Sequence, residues 1–463
     1  MALKVYIETY GCQMNVSDSE LVARLLEDDA HRVQESIEGA DVVLVNTCAV
    51  REGAEQRVLG QLASWKRLKT ERPELILGVL GCMSAHLSSK ITESLPHVDL
   101  VMGPDQYRKL PGVIRDLVVG REAQVILTRR DKTENYDEIY PSRKAGVNAW
   151  VTVMRGCDNM CTFCIVPFTR GRERSRSVAS VLEECRRLAA EGFREVTLLG
   201  QNVNSYRDPS WWPIAPVGGA AVAAGESDGA RFAELLAAVG EVPGLERVRF
   251  TSPHPKDFSP AMIREMATNP KICKHMHLPM QAGNDRVLAL MRRDYTGAEF
   301  LDLVDEARAQ LPEIGFSTDI IVGFPTETAA EFEDTLRLVE RVRFDSAFTF
   351  EYSPREGAPS ASWTDDVPAA EKNRRLRLLV DLQHRITEEK AAACRGRSYE
   401  VLIESPSKKS DLELMGRTTC NRVVVVPADP RWRIGSLVTA RVDEVSSFTL
   451  RGVVTQLEGR PLA

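Results

Sequence analysis

The sequence has no apolar run long enough to cross a bilayer: its longest weakly polar tract, WWPIAPVGGAAVAAG from Trp211, is short and broken by proline and glycine. It also lacks the basic-then-apolar start of a secretion leader, since MALKVYIETYGC reads directly as a strand, so a cytoplasmic location without a membrane partner is expected. Surplus positive charge is absent, the formal net charge being −6, which argues against a broad nucleic-acid-binding surface. No internal repeat of the solenoid kind recurs. The most informative gap is local. Cys157, Cys161 and Cys164 form a C-x3-C-x2-C run, yet neither Cys nor His follows until Cys185, inside an apparent helix, and this argues against a closed four-ligand zinc site.

The 463 residues, 43% hydrophobic and 27% charged, have a globular composition on a chain too long for one core, and roughly two to four domains are expected. Ten cysteines in a reducing compartment point to metal or redox chemistry instead of disulfides.

Three compositional regimes follow one another. From residue 1 to 130, strand patterns (LKVYIETYGC, DVVLVNTC, ELILGVLGC) alternate with helical ones, the pattern of a parallel α/β sheet. Each of these strands ends in a cysteine: Cys12, Cys48 and Cys82. In a parallel sheet the C-terminal strand ends share one edge, so the three are expected to meet as a ligand set instead of lying apart as core thiols. The polar stretch 131–146 has no apolar period and reads as a linker. Residues 147–380 carry six strand candidates, most separated by amphipathic helices, which predicts a partial (β/α)6 barrel with the cysteine loop after its first strand. The Gly/Ala-rich insert at 209–229 reads as a surface loop. A charged helix over 381–395 leads to residues 396–463, short β-runs expected to close into a small antiparallel barrel of OB type.

A cubane iron–sulfur cluster normally takes one thiolate on each of its irons, so three cysteines leave one iron open. Both three-cysteine sets have this shortfall. The remaining thiols, Cys185, Cys273, Cys394 and Cys420, share no placement and are expected to be buried or incidental, and His254, His275 and His277 to be structural.

The loop MRGCDNMCTFCIVPFTRGRERSR, after the first strand of a partial barrel, is identified as the signature of the radical S-adenosylmethionine (SAM) superfamily. Together with ETYGCQMNVSDSE, NTCAVRE, LLGQNVNSY, HLPMQAGNDRVLALMRR, DIIVGFPTET and YSPREGAPS, the chain from about residue 4 to 455 resembles the methylthiotransferase family of radical SAM enzymes, MiaB type. The resemblance implies a Rossmann-like N-terminal domain, a radical SAM domain and a TRAM domain. It implies two 4Fe-4S clusters, an auxiliary one on Cys12, Cys48 and Cys82 and a SAM-cleaving one on Cys157, Cys161 and Cys164, with SAM filling the open position of the latter. The implied reaction places a methylthio group at C2 of N6-isopentenyladenosine at position 37 of tRNA, through a 5′-deoxyadenosyl radical. An external electron donor and sulfur source are implied partners, and a monomer is expected.

Gln201, Asn202, Ser252, Gln281 and Asp319 end successive strands and are expected near SAM or substrate. QAGN at 281–284 departs from the family's usual Q-S-G-S, which removes a serine from that set. Arg170, Arg172, Arg174 and Arg176 follow the cysteine loop, and they are expected, with Arg417 and Arg422 of the C-terminal barrel, to grip the phosphates of a tRNA anticodon arm. Two other readings compete: a methylthiotransferase acting on threonylcarbamoyladenosine or a ribosomal-protein aspartate, and a non-enzymatic iron–sulfur RNA-binding protein. The second is disfavoured because a structural cluster has no reason to leave an iron open.

Overall fold

In the computed structural model, which describes residues 2–49, 52–121, 123–208, 229–446 and 448–461, the chain forms the three α/β and β regions its patterns predict. All but the last residue of the 209–229 insert lie outside the described residues.

The N-terminal sheet has six parallel strands in spatial order Arg32–Gln34, Lys4–Thr9, Val42–Thr47, Ile76–Gly81, Leu100–Met102 and Val125–Leu127. Its central strands VVLVNT and ILGVLG are buried at every position because helices cover both faces. Leu21, Val22 and Leu26 of helix Gln13–Asp28 pack on one face, and Val58, Leu62 and Trp65 of helix Glu52–Glu71 on the other.

Residues 131–147 contain no helix or strand, yet they are tied down. Tyr136 is buried, stacked on Tyr107 with ring centroids 6.1 Å apart, and the Arg155 guanidinium lies 4.7 Å above its ring. Asp137 accepts hydrogen bonds from the Ser177 hydroxyl at 3.0 Å and from Arg176 at 3.4 Å.

The central domain holds six parallel strands whose spatial order follows the chain: Asn148–Thr152, Glu195–Leu199 and Arg247–Phe250, then His275–His277, Gly315–Val322 and Ser346–Glu351. A single parallel bridge between Val248 and Ile272 joins the two halves into a partial barrel. Helices on its outside start at sharp signals, with full capping boxes at Thr296–Glu299 and Thr328–Glu331.

Helix Ala369–Ala392 packs Leu379, Gln383 and Ile386 against this domain and leads to the C-terminal barrel. That barrel is an antiparallel sheet closed by a parallel pairing of Val423–Pro427 with Thr449–Leu457. It sits under the N-terminal ends of the central strands. Buried Arg249, ion-paired to Glu195 at 2.9 Å, donates to the Thr418 carbonyl at 2.8 Å, and a Cβ on Gly315 would fall 2.6 Å from the Cys420 carbonyl oxygen.

The N-terminal domain docks on the opposite end. Asp18, fully buried on helix Gln13–Asp28, accepts from Arg155 at 2.6 Å and Arg170 at 2.7 Å, both from the central domain. Ser17 and Thr152 share a hydroxyl hydrogen bond of 2.8 Å, and Glu20 reaches Arg143 at 3.2 Å. At the far side of the junction His86 bonds Glu55 at 3.0 Å and the Glu356 carbonyl at 2.8 Å.

Removing one partner of a buried ion pair leaves the other charge uncompensated. Asp18→Ala is therefore expected to lower unfolding free energy in denaturant titration by about 3–5 kcal/mol. Arg172→Ala, on a side chain 72% exposed, should change it by less than about 0.5 kcal/mol. His86 is raised above its ordinary 6.5, chiefly by the Glu55 hydrogen bond. A raised folded-state value means its contribution is complete below 6.5 and is lost as pH climbs through the raised value. Melting temperatures of wild type and His86→Ala should differ at pH 6 and converge above that window.

Candidate functional site

The N-terminal cysteines stand where the strand pattern puts them. Cys12 precedes helix Gln13–Asp28, Cys48 directly follows strand Val42–Thr47, and Cys82 opens the short helix after strand Ile76–Gly81. Two glycines bring these turns together. At Gly11 (φ +115°) a Cβ would come within 2.5 Å of the Cys48 Cβ, and at Gly81 (φ +91°) within 2.3 Å of Asn46 Oδ1. Asn46 in turn donates to the Asn15 carbonyl and to Ser19 Oγ, each at 2.9 Å, fixing the first turn to the second.

The second set, Cys157, Cys161 and Cys164, follows the first barrel strand. Gln201 accepts a hydrogen bond from the Gly156 backbone N–H, and Arg293 Nη1 donates to Cys161 Sγ at 3.3 Å. The two sets are neighbours: Ala49, Cys82 and Ile165, residues belonging or adjacent to each set, form one small buried cluster. Arg170 spans them, following the radical loop in sequence while its Nε donates to Cys82 Sγ at 3.0 Å.

A cavity of about 710 Å³ opens at this junction, lined from one side by Tyr10, Gly11 and Arg57 and from the other by Phe163, Cys164, Gln281, Asp319, Phe350 and Arg355. Among the described residues no three His, Cys, Asp or Glu side chains converge on a single ion, whereas a cubane takes each thiolate on a separate iron. The donor chemistry fits such clusters. Each set is all-thiol, each has a buried arginine donating to one of its sulfurs, and Nη1 of Arg170 is buried without a partner.

The thiols differ in proton affinity. Burial pushes Cys157 and Cys164 up to about 12, and a metal must displace those protons. Cys12 is instead pulled down to about 6, chiefly by the Cys48 hydrogen bond, with the Arg170 charge adding to it.

Of the expected SAM or substrate contacts, Gln281 and Asp319 line the cavity, and Gln281 Oε1 is buried without a partner. Gln201 supports the cysteine loop, Asn202 donates to Asp257 at 2.8 Å, and Ser252 (φ +60°) accepts from the Val203 N–H; these three lie outside the cavity lining. His254 and His275 are held neutral, burial pushing them down to about 2 and about 3. Cys185, Cys273, Cys394 and Cys420 are buried.

The expected phosphate grip needs correction. Arg170, Arg174 and Arg176 are buried and paired, with Asp18, with Asp105 at 2.9 Å and with Glu184 at 2.5 Å. Arg417 pairs with Glu404 at 2.8 Å and Arg422 with Asp345 at 3.1 Å. Only Arg172, 3.4 Å from Asp158, reaches well into solvent. Arg170, Arg174 and Arg422 close domain junctions with carboxylates remote in sequence, whereas Arg176 and Arg417 pair within their own domains. Arg293 and Arg170 as sulfur donors were not anticipated either; nothing in MRRD or TRGR announces that role.

Residues 4–103 match the family model described as Uncharacterized protein family UPF0004, residues 151–339 the Radical SAM superfamily and residues 392–455 the TRAM domain. A tRNA-2-methylthio-N(6)-dimethylallyladenosine synthase of Carboxydothermus hydrogenoformans is 43% identical over 97% of this chain and 98% of its own length. One of Porphyromonas gingivalis is 44% identical over 98% and 95%. The chain belongs to the tRNA-2-methylthio-N(6)-dimethylallyladenosine synthase family. Among solved structures, the radical SAM methyltransferase TsrM of Kitasatospora setae, with cobalamin and a 4Fe-4S cluster bound, matches at TM-score 0.56 and 13% identity over 78% of this chain and 74% of that one. That likeness shows the shared fold. Members of this family use SAM and carry two 4Fe-4S clusters.

Because Gly81 lets the Cys82 turn close on Asn46, Gly81→Val is expected to impair the N-terminal set alone. Anaerobically reconstituted variant should hold roughly half the wild-type iron, with the SAM-cleaving cluster's EPR signal retained; full iron content would refute the glycine's role.

Proposed function

We propose that the chain adds a methylthio group to C2 of N6-isopentenyladenosine at position 37, beside the anticodon of tRNA, by radical SAM chemistry. One observation carries this reading: two three-thiol sets, each one ligand short of a cubane, adjoin a single cavity large enough for a nucleoside beside a second ligand. In this reading Cys12, Cys48 and Cys82 hold the auxiliary cluster, and Cys157, Cys161 and Cys164 hold the one that binds SAM. Bound there, the clusters would supply the electron that cleaves SAM and the iron site that carries the sulfur to be transferred.

The protein's own residues orient the partners. Gln201 holds the cysteine loop at Gly156, while Arg293 and Arg170 each give a sulfur a charged hydrogen bond. Gln281 offers an unpartnered oxygen and Asp319 a carboxylate toward the cavity, suited to amino or hydroxyl groups of SAM or the nucleoside. Phe163, Ile165, Ile321 and Phe350 give the cavity an apolar wall that limits water around a reactive radical. Among the described residues no helix is long and apolar enough to cross a membrane.

The reading is tested by anaerobic reconstitution, addition of SAM, a reductant and tRNA carrying the isopentenyl group, and mass spectrometry of the nucleosides. Cys157→Ala should abolish 5′-deoxyadenosine formation. Cys48→Ala should retain SAM cleavage while eliminating methylthio product. Product on threonylcarbamoyladenosine or on a ribosomal protein, with none on isopentenyladenosine, would transfer the assignment to a sister activity.

A further inference from the structure

Strand Ser346–Glu351 is the edge of its sheet, with no further strand beside it among the described residues, and none of its six residues is buried. Its pairing with Gly315–Val322 sets Ser317 opposite Ser346, Asp319 opposite Phe348 and Ile321 opposite Phe350. Side chains two apart on a strand share a face, so Ser346, Phe348 and Phe350 form one row. Phe350 lines the reaction cavity at the upper end of that row. Ser346, at the lower end, lines a cavity of about 120 Å³ together with Phe448 of the C-terminal barrel. Of the chain's 14 phenylalanines only Phe168, Phe348 and Phe448 are exposed, Phe348 by 52% and Phe448 by 62%. Both of the latter meet a histidine ring at a steep angle, His277 at 6.0 Å from Phe348 and His384 at 5.8 Å from Phe448, a contact that steadies each ring while about half or more of it stays exposed.

We propose that this edge row is a base-stacking track for single-stranded RNA, with Phe348 its central platform and Phe448 its lower end. The inference rests on the tRNA reading above and adds where the loop lies. Protein partners and lipid surfaces favour contiguous apolar area, whereas here single rings alternate with Ser346, His277 and Asp319. Isolated aromatic faces are what unstacked RNA bases use. The row is also continuous with the reaction cavity, so a nucleotide stacked on Phe348 adjoins the one inserted beyond Phe350. Asp319 repels phosphate, which turns base faces and amino groups inward and the backbone outward.

The test is fluorescence anisotropy with a labelled RNA stem–loop of anticodon-arm sequence and the full-length, cluster-free protein, across a salt series. Phe348→Ala and Phe448→Ala should each weaken binding by about tenfold, with the salt slope unchanged because no phosphate contact is lost. Phe348→Leu should weaken it as Phe348→Ala does, since it keeps apolar bulk without a π face, and Phe348→Trp should restore it. Affinities within twofold of wild type for both alanine variants overturn the proposal and leave the proposed function standing. A wild-type protein with no affinity for the stem–loop, while it does bind another RNA or protein, refutes the tRNA reading instead. Self-association lost in Phe348→Ala, with RNA binding intact, would assign the face to a second copy of the chain and overturn the track.

Discussion

Everything chemical in this molecule depends on one buried carboxylate. Asp18 lies between Arg155 and Arg170 with no exposure to solvent, and those two arginines belong to the other domain. Desolvation alone would push an isolated carboxyl up, yet the two guanidiniums hold Asp18 below its ordinary value. A charge so placed permits very few domain arrangements, because any slip separates an ion from its partners in a region water does not reach. Arg170 adds the functional link, since its Nε reaches Cys82 while Nη2 holds Asp18. Docking the domains and aligning the two cysteine sets are thus one event.

Burial then gives the two sets different characters. Cys157 and Cys164 sit where only neutral thiols are comfortable, so incoming iron must compete with two tightly held protons. The N-terminal set is less uniform. Cys12 is ready to ionise near neutral pH, while Cys82 is raised by burial despite the Arg170 charge beside it. Metal loading of either set replaces thiol protons by a cluster whose sulfurs carry negative charge, and an arginine already bonded to one sulfur of each set favours that change.

Much of this was legible in the sequence, for a physical reason. In a parallel α/β sheet the strand ends are coplanar by construction, so three cysteines that each terminate a strand must lie on one edge whatever the loops do. Gln281 and Asp319, at the same edge, line the cavity. Gln201 and Asn202 lie at that edge too, but their side chains bond to Gly156 and Asp257, and the Ser252 carbonyl accepts from the Val203 N–H. RGRERSR is less legible. Four arginines in seven residues read as a phosphate grip, and what turns three of them into buried pairs is Asp18, Asp105, Asp137 and Glu184, which lie outside that run. Charge runs report composition, whereas burial is a property of the partners.

The ends of the barrel impose a last constraint. The cysteine sets occupy the C-terminal ends of the strands, and the C-terminal barrel is anchored under the N-terminal ends through Arg247, Arg249 and Arg422. A strand of six residues spans roughly 20 Å, so a substrate held by the C-terminal barrel must reach that distance to put one base in the cavity. A rigid duplex cannot thread a partial barrel, but an unpaired loop can lie along its open edge. With most arginines near both ends committed to protein carboxylates, affinity for such a loop has to come from elsewhere than a dense phosphate clamp. The exposed rings of Phe348 on the edge strand and Phe448 on the C-terminal barrel supply it in the proposed track without adding positive charge, which reconciles an acidic protein with an RNA substrate.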